Sequence, residues 1–150
     1  MSSIAVQTGS GRKVPGVLMF RVEASLLYFN TDHVRATVWD TIRSAACPVK
    51  LVIIDLSNAP SVDMAGARML ATLHADLTKA GAILRLVAAH GSVRDMLRAE
   101  GLEQQVGDIS RRVSADDVIA TYLHEVDSEA TVPAAPASKT ADGSGGAGHG

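Results

Sequence analysis

VKLVIIDLSNAPSVDMAGARML, Val49 to Leu70, decides the fold. Val49 to Ile54 reads as a strand buried on both faces, as in a parallel sheet, because apolar residues dominate it without alternation. Asp55 ends that strand. A short polar loop follows, and Asp63 is placed to cap a helix. Gly66, Met69, Leu70, Leu73 and Leu77 fall on one face at helical spacing. Gly81 suits a left-handed helix end. Ile83 to Ala88 is the next strand. Strand, helix and strand in this order make a right-handed crossover between parallel neighbours.

Working upstream, Val17 to Val22 and Leu26 to Phe29 are rich in strand-forming residues, and Glu23 to Ser25 suits a tight turn. A hairpin is expected there. Asn30 is placed to cap a helix with the apolar face Val34, Val38, Ile42 and Ala45, which Pro48 stops. Downstream, Ser92 to Asp95 resembles a capping box that opens a short helix. Gly101 and Leu102 suit its Schellman ending. Val106 to Ile109 fits a short last strand. Ser114 to Asp117 opens a final helix, with Val113 stapled to Val118 and an inward face of Val118, Ile119, Tyr122, Leu123 and Val126.

The expected class is therefore α/β. It is a small mixed sheet, mostly parallel, with an N-terminal antiparallel hairpin and about four helices. Residues 14–126 form the domain. Residues 1–13 are small and polar and read as a flexible leader or linker. Residues 127–150, rich in Ala, Pro, Gly and Ser, bury too little apolar surface to offset ordering entropy and read as disordered.

Bulk properties narrow the function. The chain has 150 residues, enough for one domain, and a formal charge of -2. That balance gives no general attraction to nucleic acid or anionic lipid. The single cysteine, Cys47, excludes an internal disulfide. The longest aliphatic run is Leu51 to Ile54, far short of the roughly 20 residues of a membrane helix. A soluble chain is expected, one that a larger membrane protein can still contain. His33, His74, His90 and His124 stand apart on different elements, so neither a metal site nor a catalytic relay is expected. Without a glycine-rich phosphate loop, no cofactor is expected. Arg85, Arg94, Arg98, Arg111 and Arg112 lack interleaved aromatics, so no nucleic-acid partner is expected. Trp39 and Tyr28 fit either partner anchors or core packing.

The remaining candidate is the corner after the first buried strand. Ligands of open parallel sheets sit at the C-terminal strand ends, and Asp55, Asp63 and Gly66 stand at such an end. The free N–H groups of the following helix attract anions. A capped, well-made turn explains the same residues.

VPGVLMFRVEASLLYFN, then VKLVIIDLSNAPSVDMAGARML, then GAILRLVAAHGSVRDMLRAEGL together resemble the STAS domain, shared by sulfate transporters and anti-sigma factor antagonists. Val14-Pro-Gly16, Phe20 to Glu23 and Tyr28 to Asn30 resemble the sulfate-permease (SulP) branch. That resemblance implies a STAS-like sandwich that forms the cytoplasmic regulatory domain of a secondary anion transporter for sulfate, bicarbonate or a related anion. Its place would be the inner face of the cell membrane. Its partners would be the transporter's own membrane domain, a second copy, or a cytosolic regulator. In soluble antagonists a Ser or Thr directly after the loop aspartate accepts phosphate. Here that aspartate corresponds to Asp63 and the acceptor position is Met64, so no phosphorylation is expected there. Ser57 and Ser61 lie in the same loop, out of register. The expected contact set is Asp55, Ser57, Ser61, Asp63, Met64, Gly66 and Arg68. A soluble partner-switch protein and a nucleotide-binding sensor are the alternatives.

Overall fold

The computed structural model describes residues 4–7, 14–107, 109 and 113–131. The chain divides into two compact units, Met1–Val118 and Ile119–Gly150.

The first unit is built on a four-stranded sheet. Strand β1 is Ile4–Gln7, β2 is Val17–Val22, β3 is Leu51–Asp55 and β4 is Ile83–Val87, and they lie side by side in that order. β1 runs antiparallel to β2, while β2, β3 and β4 are mutually parallel. Phe20, Ile54 and Leu86 stand level across the three parallel strands. β3 has a strand on each side and its four apolar residues, Leu51 to Ile54, are all buried. That is the burial its continuous apolar run requires.

Helix α1 (Thr31–Arg43) precedes β3, and α2 (Met64–Lys79) crosses from β3 to β4. Val34 and Val38 face inward from α1, and Ile42 is half-buried, while Ala45 lies beyond the helix end. On α2 the buried residues are Gly66, Ala67, Met69, Leu70, Leu73 and Leu77, a stripe set by the 3.6-residue period. Ala67, Met69, Leu70, Leu73 and Leu77 join Phe20, Val52, Ile54, Leu84 and Leu86 in one core. The end of α2 is closed by Gly81, in the left-handed region at φ 86°, with the Ala82 N–H donating to the Leu77 carbonyl at 2.8 Å.

Several expectations are corrected. The antiparallel partner of β2 is not Leu26 to Phe29. It is β1, drawn from the stretch that reads as a leader. Leu26 makes only a single parallel bridge, to Val62. Three residues between Val22 and Leu26 close no two-strand ladder here, because the Leu26 N–H and C=O are taken by Ser61 and Asp63. Asn30 precedes α1 but gives it no side-chain cap. Its amide turns back instead, accepting from the Leu27 N–H at 2.9 Å and donating to the Ser25 carbonyl at 2.8 Å.

Helix α3 (Gly91–Ala99) starts with His90 at its cap position, before Ser92, and no side chain caps it. Gly101 is left-handed, as expected, at φ 76°. The chain then forms a short helix α4 (Leu102–Val106), so Val106 closes a helix where it was expected to open a strand, and residue 108 of that expected strand lies outside the described residues. Leu102 and Val106 are four apart and both buried, which serves a helical turn better than an extended segment.

Helix α5 is Ala115–Thr131. Its start is a reciprocal capping box. The Asp117 N–H donates to Ser114 Oγ at 3.1 Å, and the Ser114 N–H donates to Asp117 Oδ2 at 3.2 Å. Its expected inward face is not buried. Val118, Ile119, Tyr122 and Leu123 are half-buried and Val126 is exposed. Periodicity identifies an apolar face but not what covers it. The helix extends past residue 127, into the expected tail, and residues 132–150 lie outside the described residues.

Candidate functional site

The corner between β3 and α2 is organised by two aspartates. Asp55 closes β3. Its Oδ1 accepts from the Ser57 N–H at 2.8 Å, turning the chain off the sheet. Its Oδ2 lies 3.6 Å from Arg21 Nε on the neighbouring strand. The Leu56 N–H then donates to the Val87 carbonyl at 3.0 Å, so the loop stays anchored to β4.

Asp63 uses both carboxylate oxygens. Oδ1 accepts from the Gly66 N–H at 2.8 Å, the side-chain cap of α2. Oδ2 accepts from the Tyr28 N–H at 3.0 Å. One residue therefore starts the helix and ties a segment 35 positions upstream to its N-terminus. Backbone bonds from Leu26 N–H to the Ser61 carbonyl (2.9 Å) and from Asp63 N–H to the Leu26 carbonyl (3.1 Å) hold the same join.

Gly66 is needed for this approach. A Cβ there would overlap the Leu26 carbonyl oxygen and press on Leu26 Cγ and Val62 Cγ1. Its lack of a side chain is used by the protein's own backbone, which fills the space beside it. Ser61 Oγ bonds to Ser25 Oγ at 3.0 Å, and Asn58 Nδ2 donates to Glu23 Oε2 at 3.0 Å. Both contacts fasten the loop to residues 23–25. Arg68, exposed one turn into α2, donates to Glu100 at 3.1 Å.

The structure thus joins Asp55, Ser57, Ser61, Asp63, Met64, Gly66 and Arg68 around one loop and one helix start. Met64 is 48% exposed at the first position of α2. Phe29 and His90 join this corner without a signal that the sequence reading uses. Phe29 and Tyr28 are 69% and 75% exposed and meet edge to face, with ring centroids 5.6 Å apart. Tyr28 is one of the two anchor candidates in the sequence, and Phe29 adds to it. Both rings stand on the turn closed by the Asn30 N–H to Leu27 carbonyl bond, 3.0 Å, so neither has a sheet layer to pack under. His90, which reads as an isolated histidine, places its ring Nε2 2.6 Å from the Ser57 carbonyl and so touches the loop from the β4–α3 connection.

Both aspartates of the corner, Asp55 and Asp63, are already bonded to backbone N–H groups, and its exposed side chains include the rings of Tyr28 and Phe29, the thioether of Met64 and the polar groups of Asn58, Ser61 and Arg68. Among the described residues no cluster of three His, Cys, Asp or Glu side chains is placed to hold a metal ion. Nor is any described helix long and apolar enough to cross a membrane.

Comparison with known proteins fits this geometry. The family model of the STAS domain matches residues 11–116. Sulfate transporter 1.1 of Arabidopsis thaliana is 24% identical over 134 residues, which is 84% of this chain and 21% of that protein. The chain thus spans about a fifth of the length of that relative. Among solved structures, the murine Slc26a9 anion transporter in its inward-facing state superposes with a TM-score of 0.67 at 18% identity, covering 82% of this chain and 22% of that one. The anti-sigma factor antagonist SpoIIAA in its unphosphorylated form superposes with a TM-score of 0.64 at 15% identity, covering 81% and 96%.

Proposed function

The chain belongs to the STAS domain family, and from that premise we propose that it is the regulatory and interaction domain of a SulP-type anion transporter. It works through protein contacts, not catalysis, on the cytoplasmic face of the membrane. The observation that carries this reading is Met64. At the position where soluble antagonists present a phosphate acceptor, this chain exposes a flexible apolar side chain on an intact, Asp63-capped helix start. The docking shape is kept and the chargeable hydroxyl is not. The partner is the transporter's own membrane domain, with a second copy or a cytosolic regulator as further occupants of the same corner.

Two measurements test it together. The reading frame that carries this chain is expected to encode roughly ten apolar segments of about 20 residues upstream of Val14. Uptake of labelled sulfate by the parent protein is expected to fall when residues 14–126 are deleted. A frame without such segments and an uptake unaffected by the deletion would overturn the proposal.

A second reading, a partner-switch protein of the anti-sigma antagonist type, is favoured by the hydroxyls of Ser57 and Ser61 in the same loop. It requires an ATP-dependent kinase partner and phosphate on that loop. Incubation with such a kinase and mass-spectrometric mapping separates the two. Phosphate on Ser57 or Ser61 supports the switch, and an unmodified loop removes it.

A further inference from the structure

Five large apolar side chains are exposed among the described residues, and three of them, Tyr28, Phe29 and Met64, are brought to one corner by the bonds of Asp63. The chain has only five aromatic residues, so placing two adjacent ones in water is a large share of them. Aromatic and methionine side chains are the types that anchor protein interfaces.

The segments that frame them carry unpaired acidic charge. Glu23, Asp32 and Asp63 lie on the segments that frame the corner, and none forms an ion pair among the described residues. Three arginines on the adjoining elements are engaged by other carboxylates: Arg21 by Asp55, Arg35 by Asp76 and Arg68 by Glu100. Arg94, in the first turn of α3, is partly buried. Lys50 and Lys79 stand at the opposite ends of their elements, before β3 and at the last turn of α2. The corner therefore offers an apolar centre with an acidic rim.

We propose that this corner receives a basic amphipathic helix of a partner protein, its apolar side on Tyr28, Phe29 and Met64 and its Lys or Arg side chains toward Glu23 and Asp32. This rests on the interaction-domain reading and adds the chemistry of the partner. A helix with an apolar stripe matches three anchors grouped at one place, and opposite charge at the rim sets orientation and speeds encounter. The same carboxylates repel an anionic lipid surface, so the occupant is protein.

The test uses the full chain, a synthetic Leu/Lys amphipathic peptide of about five helical turns, and its charge-reversed Leu/Glu counterpart. Fluorescence anisotropy measures affinity, and amide shifts locate the contact. The Leu/Lys peptide is expected to bind at least about tenfold more tightly, to weaken as salt rises, and to shift residues 23–32 and 56–68. The Tyr28→Ala/Phe29→Ala variant should lose about tenfold in affinity with an unchanged circular dichroism spectrum. Glu23→Gln/Asp32→Asn should abolish the preference for lysine.

Equal binding of the two peptides, shifts elsewhere, no binding, or tighter association with phosphatidylserine vesicles than with the Leu/Lys peptide would each overturn the proposal. The interaction-domain reading fails separately, through the transport assay. Loss of transport on deleting residues 14–126, combined with no charge preference here, removes only the basic partner.

Discussion

Met64 and Gly66 sit two residues apart and carry opposite constraints. Met64 is half exposed, with its side chain outside the core. Met64→Ser is expected to change unfolding free energy by less than about 1 kcal/mol, since substitutions away from packed features do little. A urea melt checks this, and a collapse of the fold would make Met64 a core residue and end its docking role. Gly66 has no such freedom. Gly66→Ala drives a methyl into the Leu26 carbonyl, which is backbone and cannot swing aside. Overpacking of this kind costs about 1–3 kcal/mol, and the same melt should show a midpoint lowered accordingly. An unchanged midpoint would mean that the segment around Leu26 moves away without loss. The sequence places a glycine near the helix start, free to let another group approach. It could not show whether ligand or backbone filled the space, because the Leu26 segment comes from 40 residues upstream.

At the scale of elements, Asp63 joins α2 to the segment bearing the aromatic pair. Asp63→Ala removes the cap bond to Gly66 and the bond to Tyr28 together. Loss of the cap alone costs about 1 kcal/mol, up to about 2. Beyond that, hydrogen exchange at the Tyr28 amide should quicken more than exchange in the middle of α2, because its acceptor is gone while the helix interior is intact. Uniform acceleration across α2 would show that the carboxylate serves the helix only. Here the sequence was most informative. Asp63 as cap, Gly81 as left-handed end and the inward stripe of α2 all follow from local chemistry and period. Asn30 shows where local chemistry stops. It is a cap by residue type and position, yet its amide serves Ser25 and Leu27, since the turn before α1 needs those bonds more. His90 replaces the expected Ser92 box for a related reason: the β4–α3 connection places α3 to begin before the serine.

At the scale of the whole chain, the parallel core was legible because Leu51 to Ile54 of β3 are all apolar and only a central strand repays that. The outer partner of β2 was not. Ile4–Gln7 is four residues within a polar stretch, and edge strands carry weak sequence signals because one side faces no neighbour. Yet it pairs with β2 along four registered positions, Ile4 with Val22 through Gln7 with Met19. Without it, β2 would present an unpaired row of N–H and C=O groups at the margin of the sheet, next to apolar Val17 to Phe20. Such an edge is a template for a second chain. Deleting residues 1–8 is therefore expected to do two things at once. It lowers the unfolding midpoint, because a ladder is lost, and it shifts elution in size-exclusion chromatography toward larger species as concentration rises, because the freed edge of β2 finds a partner. Full-length chain at the same concentration supplies the comparison. If the shortened chain melts at the same midpoint and elutes at the same volume, β1 neither stabilises the sheet nor guards its edge, and residues 1–13 act as the sequence alone suggests, as a leader outside the fold.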